Sequence, residues 1–275
     1  MLRSFKLIIY LPAYISPTSL STNYLDQRPD NDKDTVFNDE LFDSLYPDGI
    51  EHHYWTKARN KIILSVLKKL GAADKNIIEV GCGRGVVTKF LRENHVSVEG
   101  YELANLPAYP GTEPYVHMGT DARHLPEEQK DSFEVMLLLD VVEHVEKPEE
   151  FLADLLAHFK NVKTLVITVP AREEIWSNFD VFNGHYRRYT MKMAEDLLAA
   201  VKLRKVYTAY AYHSLYAMMR LLMLLNKKNR STSIKAPTKK KLFLHSLLCQ
   251  LLIADYGCVP KKWKGSSLII AGTFA

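Results

Sequence analysis

Cysteine is scarce in this chain: three in 275 residues, Cys82, Cys249 and Cys258. They lack the paired spacing of a metal knot, and an odd, sparse set suits a reducing compartment better than a disulfide scaffold. Long hydrophobic runs are missing too. No stretch reaches the roughly 20 apolar residues of a clean transmembrane helix. Proline and glycine, twelve of each, are too few for a collagen-like or low-complexity chain. Acid is nearly absent from the last quarter. Residues 201–275 hold fourteen Lys or Arg and one acid, Asp255, a net of +13 within a chain total of +4, so the first 200 residues carry −9. An acidic body therefore joins a basic C-terminal quarter. What is present is ordinary globular composition at a length for one large domain, or one domain with additions.

Residues 1–6 carry two positive charges, and 7–15 are apolar around Pro12. No small-residue cleavage site follows, so the segment reads as an extension rather than a signal peptide. Residues 19–43 are polar and acid-rich. The expected organisation is a loosely ordered arm over 1–50 and one domain over 51–275. Helical spacing runs over 55–70, with Ile62, Ile63, Val66, Leu67 and Leu70 on one face and Gly71 as the stop. Strands and helices then alternate. Strands are expected at 76–80, 96–101, 115–118, 133–139, 164–169, 205–212 and 267–274, and helices at 86–93, 148–159 and 191–201. Near-continuous apolar strands alternating with helices predict an α/β fold with a mostly parallel sheet covered on both faces. An addition of about fifty residues, 213–264, separates the last two strands.

Three glycines, Gly81, Gly83 and Gly85, follow the first strand and open a helix, with Glu79 two places before the first. Open α/β sheets bind ligands at such a turn. Glycine lets backbone approach a ligand closely, and the helix N-terminus attracts an anionic group. The spacing is G-x-G-x-G, whereas the nicotinamide fingerprint needs its third glycine one place later. Glu102 closes the second strand, where a carboxylate can accept both ribose hydroxyls of an adenosine. Asp121 follows the third strand and can accept from an exocyclic amine; the alternative is a turn cap.

The succession IIEVGCGRG, VEGYE, GTDARHLP and LLLDVVEHVEKPEEFL resembles class I S-adenosylmethionine-dependent methyltransferases. It is most similar to the broad group that includes ubiquinone-biosynthesis O-methyltransferases. The resemblance covers about residues 51–212 and resumes at the last strand. It implies a Rossmann-like seven-stranded sheet with the last strand antiparallel and S-adenosyl-L-methionine as cofactor. It implies that Gly81, Gly83 and Gly85 wrap the methionine and ribose, with Glu79 shaping the turn. Glu102 would hold the ribose, Asp121 and Ala122 the adenine, and Asp140 would lie near the reacting methyl. Cys82 in the turn, Leu103 beside Glu102 and Tyr54 on a helix that lids the site complete the expected cofactor contacts. His53, Trp55 and Arg59 are further candidates to cover it, or else a packing anchor for that helix.

Methyl transfer from a sulfonium is an in-line displacement in which positioning supplies much of the acceleration. A hydroxyl acceptor also loses a proton, to a base or with help from a metal ion. Asp140, Glu143 and His144 follow the fourth strand; His185, Arg187 and Arg188 follow the fifth. Both strand ends lie on one edge of a parallel sheet, so the two segments can converge. Asp-x-x-Glu-His plus a later His resembles the site of metal-dependent O-methyltransferases of ubiquinone biosynthesis and of small-RNA 2′-O-methylation. A divalent metal, a metal-free role for His144 or His185 as base or acceptor-positioner, and a purely structural role all stay open. Arg187 and Arg188 suit an anionic group on the acceptor or, equally, ion pairs with the acidic body.

Two apolar segments, 213–225 and 242–254, flank a basic loop with no acid. They suit an anionic membrane surface or a hairpin closing over a long-chain acceptor, and equally two buried helices with a solvated lysine loop. The loop has no interleaved aromatics, which sets nucleic acid aside. The expectation is a cytoplasmic O-methyltransferase, peripheral at the inner membrane face if the first reading holds. Its acceptor would be a small molecule, quinone-like, lipid-linked or glycan. A nicotinamide-dependent oxidoreductase, an RNA ribose methyltransferase and a non-catalytic adaptor are the alternatives.

Overall fold

The computed structural model describes residues 46–225, 231, 232 and 234–274. Most of the expected arm, the apolar segment 7–15, and Lys227, Lys228 and Arg230 lie outside the described residues. In chain order the elements are α1 (Tyr54–Lys69), β1 (Ile77–Val80), α2 (Val86–Glu93), β2 (Val98–Glu102), β3 (Val116–Met118), α3 (Glu127–Asp131), β4 (Val135–Leu139), α4 (Pro148–His158), β5 (Thr164–Pro170), α5 (Asn178–Phe182), α6 (Met191–Ala200), β6 (Arg204–Ala211), α7 (His213–Leu224), α8 (Leu242–Cys258) and β7 (Ser267–Thr273).

One seven-stranded sheet has the order β3-β2-β1-β4-β5-β7-β6. β1 pairs in parallel with both β2 and β4, and β7 runs antiparallel to β5 and β6. The α/β expectation with an antiparallel last strand is met. The order reverses at β1 and β4, and there a crevice opens outside the carboxyl ends of the strands. Alternate strand residues feed opposite faces. Ile78, Met136, Leu138 and Ile167 pack with Leu152, Leu155, Leu197 and Leu198 of α4 and α6. Ile77, Val135, Leu137 and Val166 pack with Ile62, Leu67, Val87, Leu91, Leu252 and Tyr256 of α1, α2 and α8. Both faces are therefore dry, which is why the strands read as apolar runs rather than alternations.

β2 starts two residues later than the apolar pattern suggests and ends on Glu102, so that carboxylate stands at the strand's mouth. α3 and α5 carry no long apolar face and were not expected. α5 forms because Ser177 and Asp180 close a capping box at its start. Ile50 is buried with Val86 and Tyr109, and the Gly49 amide donates to the Tyr109 hydroxyl at 3.1 Å. Packing against the domain therefore begins before residue 51.

Candidate active site

The turn after β1 is built for close approach. Gly83 (φ +56°) and Gly85 (φ +83°) are left-handed. A Cβ on Gly83 would sit 2.5 Å from the Tyr46 hydroxyl oxygen, and one on Gly85 2.5 Å from Val116 Cγ2. Conformation and space together require glycine at both positions. The Gly81 and Cys82 amides donate to the Tyr101 carbonyl at 2.8 and 3.2 Å, which ties the turn to β2. Cys82 is buried, its thiol 3.5 Å from the Gly83 carbonyl. Glu79 is buried below the turn and accepts from the Thr88 hydroxyl at 2.5 Å. Burial pushes its carboxyl up to about 7, against the pull of Thr88 and Arg59.

Glu102 accepts from the amides of Gly83 and Ala104, both at 3.0 Å. Burial raises its carboxyl above the usual range, and those amides oppose the rise. Each oxygen keeps a further lone pair, so the group can still accept from a ribose. Leu103 is exposed at the rim. Asp121 caps the turn Ala122–His124, accepting from the Arg123 amide at 2.9 Å and from its guanidinium Nη2 at 2.8 Å. Burial raises this carboxyl, but Arg123 outweighs it and holds the net below the usual range. The capping alternative is thus realised, and an adenine amine would share Asp121 with Arg123. Ala122 is buried beside it.

Asp140 closes β4 in a left-handed conformation, φ +60°. That is uncommon for a residue with a Cβ and is tolerated best by Asp and Asn. Its Oδ1 accepts from the Thr168 hydroxyl at 3.0 Å, and its Oδ2 pairs with Arg59 Nη2 at 2.6 Å. Arg59 reaches in from α1, donates to the Leu139 carbonyl at 3.2 Å, and lies over the Trp55 ring. Burial disfavours the Arg59 charge, but Asp140, with Tyr46, Glu79 and Tyr212, outweighs it and holds the guanidinium above its usual range. Asp140 thus answers a buried arginine instead of joining a ligand set with Glu143.

Glu143, His144 and His185 do converge. Each brings a possible ligand atom to within 4.8 Å of the others. The two imidazoles meet edge to face at 4.8 Å. Glu143 is buried, with Oε2 lacking a hydrogen-bond partner, and burial first, then Asp140, drives its carboxyl well up. Burial and His185 lower His144 to about 3, against a hydrogen bond with the Asn183 backbone. His185 Nδ1 meets Asp180 Oδ1 at 3.0 Å. With the proton on Nδ1, Nε2 offers a lone pair to the cluster. Asp180 is fully buried and also takes Arg188 Nε at 2.7 Å and Nη2 at 3.1 Å. Burial pushes Asp180 up, but the His185 hydrogen bond and the Arg188 charge bring it to about 2.

The sequence left both arginines open between an acceptor anion and ion pairs with the acidic body, and Arg188 takes the second. It is buried on Asp180, and Arg187 donates to the Glu146 carbonyl. Tyr54 packs against α8: its amide donates to His245 Nδ1 at 3.2 Å, and its ring lies 5.5 Å from that imidazole. Tyr46 takes the position against the glycine turn, its carbonyl held by Arg84 at 3.0 Å. An aromatic inside an acid-rich arm gave no signal of this. Asp180 was visible only as an acid near Trp176; its bond to His185 depends on how the loop after β5 turns back.

A sheet of this order, with a glycine turn at its switch point and an acid at the end of β2, defines the class I S-adenosylmethionine-dependent methyltransferases. Residues 52–219, more than half of the sequence, match the family described as "Methyltransferase domain". The chain belongs to this family, and S-adenosylmethionine is its cofactor. The mitochondrial ubiquinone biosynthesis O-methyltransferase of Schizosaccharomyces pombe is 26% identical over 110 residues, 36% of this chain and 39% of that one. The ubiquinone biosynthesis O-methyltransferase of Pseudomonas fluorescens is 25% identical over 103 residues, 35% and 43% of the two chains. The match spans about two-fifths of the length of these relatives. The methyltransferase domain of bacterial CtHen1-C superposes with a TM-score of 0.50 at 10% identity, covering 80% of this chain and 98% of that one, and shows the shared fold.

Proposed function

We propose that this chain moves the methyl group of S-adenosylmethionine to a hydroxyl oxygen of a small, quinone-like or lipid-linked acceptor. The observation that carries the reading is the Asp180–His185 pair beside Glu143 and His144, close to the end of β4. Similarity to two ubiquinone-biosynthesis O-methyltransferases supports the acceptor class.

In this reading the glycine turn would hold the cofactor's adenosine, and Glu102 would accept from its ribose hydroxyls. Arg59 would hold the carboxylate of the cofactor's amino-acid end and Asp140 its ammonium. That exchange would leave neither charge of the pair alone. The acceptor oxygen sits in line with the methyl carbon and the sulfur. When bound, the cofactor would supply a methyl on a sulfonium, whose C–S electron pair would return to sulfur as the new O–C bond formed. The hydroxyl proton passes to His185 Nε2, and Asp180 holds the ring and steadies the imidazolium.

The donor set of Glu143, His144 and His185 also fits a divalent cation. One buried carboxylate oxygen lacks a partner, and a carboxylate orients one imidazole from behind. When bound, such an ion would take the His185 Nε2 lone pair, and its Lewis acidity would then replace that nitrogen as the means of easing loss of the hydroxyl proton. A lipid-linked acceptor fits an enzyme working in the cytoplasm at the inner membrane face.

The test uses a catechol carrying a short prenyl tail, with cofactor affinity measured alongside turnover. His185→Ala lowers kcat by about a hundredfold or more and leaves cofactor affinity intact. Unchanged kcat overturns the role of His185. Full activity in chelator removes the metal, and no turnover of any hydroxylated ring by the intact protein removes the acceptor class.

A further inference from the structure

The addition between β6 and β7 presents an unusual surface. α8 is apolar nearly all round and contains no Lys or Arg. Its inner side buries Cys249, Leu252 and Tyr256 in the core. Its outer side leaves Phe243 83% exposed, Leu247 49% and Leu251 56%, spaced four residues apart and so aligned along one stripe. Leu221 and Leu224 of α7 are exposed as well. A contiguous apolar stripe on a helix about 25 Å long is not the scattered exposure normal for a soluble surface.

Charge frames the stripe. Lys235, Lys239 and Lys240 are exposed ahead of α8; Lys262, Trp263 and Lys264 are exposed after it. Residues 213–264 hold eleven Lys or Arg and one acid. That acid, Asp255, is turned inward and caps α7, accepting from the amides of His213 at 2.8 Å and Ser214 at 3.0 Å. Lys264 is partly answered by Glu174 at 3.6 Å.

We infer that the outer side of α7 and α8 docks on an anionic bilayer surface, with the leucine and phenylalanine stripe entering the acyl boundary and the flanking lysines meeting headgroup phosphates. No helix of the described residues is long and apolar enough to cross a membrane, so the helices lie in the plane. A second copy suits the stripe less well. Both ends of the stripe are basic, so a twofold pairing in either direction would bring like charges together. The dock is wired to the site. His245 and Ser246 of α8 bond the Tyr54 amide and Lys57 Nζ of α1, the helix that delivers Arg59 to Asp140. The inference deepens the membrane-face reading above, but its test needs no turnover, so either can fail alone.

The full chain is mixed with vesicles of neutral phosphatidylcholine and with vesicles in which about a third of the lipid is phosphatidylglycerol, and binding is read by flotation. Each surface lysine contributes about fivefold at low salt. The exchange Lys235→Gln, Lys239→Gln, Lys240→Gln then weakens binding to anionic vesicles by about a hundredfold, and added salt mimics it. Phe243→Ser with Leu247→Ser weakens binding in both low and high salt. Affinity for S-adenosylhomocysteine stays unchanged in both variants, which shows that they fold. Equal binding to neutral and anionic vesicles, or none to either, overturns the inference. So does a dimer abolished by Phe243→Ser in a chain that ignores vesicles, which would assign the stripe to a second copy.

Discussion

The strand-end edge of the sheet and the α7–α8 addition handle polarity in opposite ways. At the edge, charged groups are buried or half-buried and answered from within. Glu102 takes two amides, Asp140 takes Arg59, and Asp180 takes His185 and Arg188. In the addition, apolar side chains face outward, and the lysines are flanked by almost no acid. The first arrangement fixes geometry, because each group is held by neighbours that lose a partner if it moves. The second packs its inner side into the core and turns only its outer stripe outward. Substitutions at the edge should therefore damage folding and chemistry together, whereas those on the outer stripe should spare both.

Asp180→Ala gives the largest expected effect. It leaves Arg188 buried without its counter-charge and frees His185, so stability falls by about 3–5 kcal/mol, read by urea unfolding. A loss below about 1 kcal/mol would mean that the pair behaves like a surface ion pair, and the contrast would weaken. A smaller effect comes from the junction of the two regions. Burial, then His245, holds His53 down to about 4, so the folded state favours neutral imidazole. Above its ordinary value of 6.5 both states are neutral and the stability is fully present. As pH falls from there toward 4, the unfolded chain takes up a proton that the folded one refuses, and stability is lost. His53 is only partly buried, so its share between about pH 7 and pH 5 is at most about 2 kcal/mol. His53→Gln should flatten that part of the profile, and an identical profile would remove the linkage. The smallest effect is on the stripe itself. Phe243→Ser should change stability by no more than about 0.5 kcal/mol; a drop of several degrees in Tm would place that ring in the core.

The two regions also differ in how far the sequence revealed them. The parallel strands were legible because burial on both faces makes them continuous apolar runs, and the glycine turn because its residues are consecutive. The addition was legible as two apolar helices around a basic loop, but composition alone left open which sides were buried. That depends on α1, against which α8 packs. In the candidate site, Glu143, His144 and His185 were found from spacing at two strand ends. Arg59 with Asp140, and Asp180 with His185 and Arg188, were not paired in advance. The first pair joins α1 to the end of β4, and the second depends on the path of a loop. Tyr46 was missed because it lies in a segment whose composition reads as unstructured.

The central claim is that the turn at residues 81–85 and Glu102 hold S-adenosylmethionine. Calorimetric titration of S-adenosylhomocysteine into the intact chain and into Gly83→Asp tests it most directly. Aspartate there collides with Tyr46 and sets a second carboxylate beside Glu102 in a left-handed turn. The account predicts saturable one-site binding to the intact chain and a loss of at least about a hundredfold, roughly 2.7 kcal/mol, in a variant that still unfolds cooperatively. Equal affinity in the two proteins, or binding of NADH in place of S-adenosylhomocysteine, would contradict it.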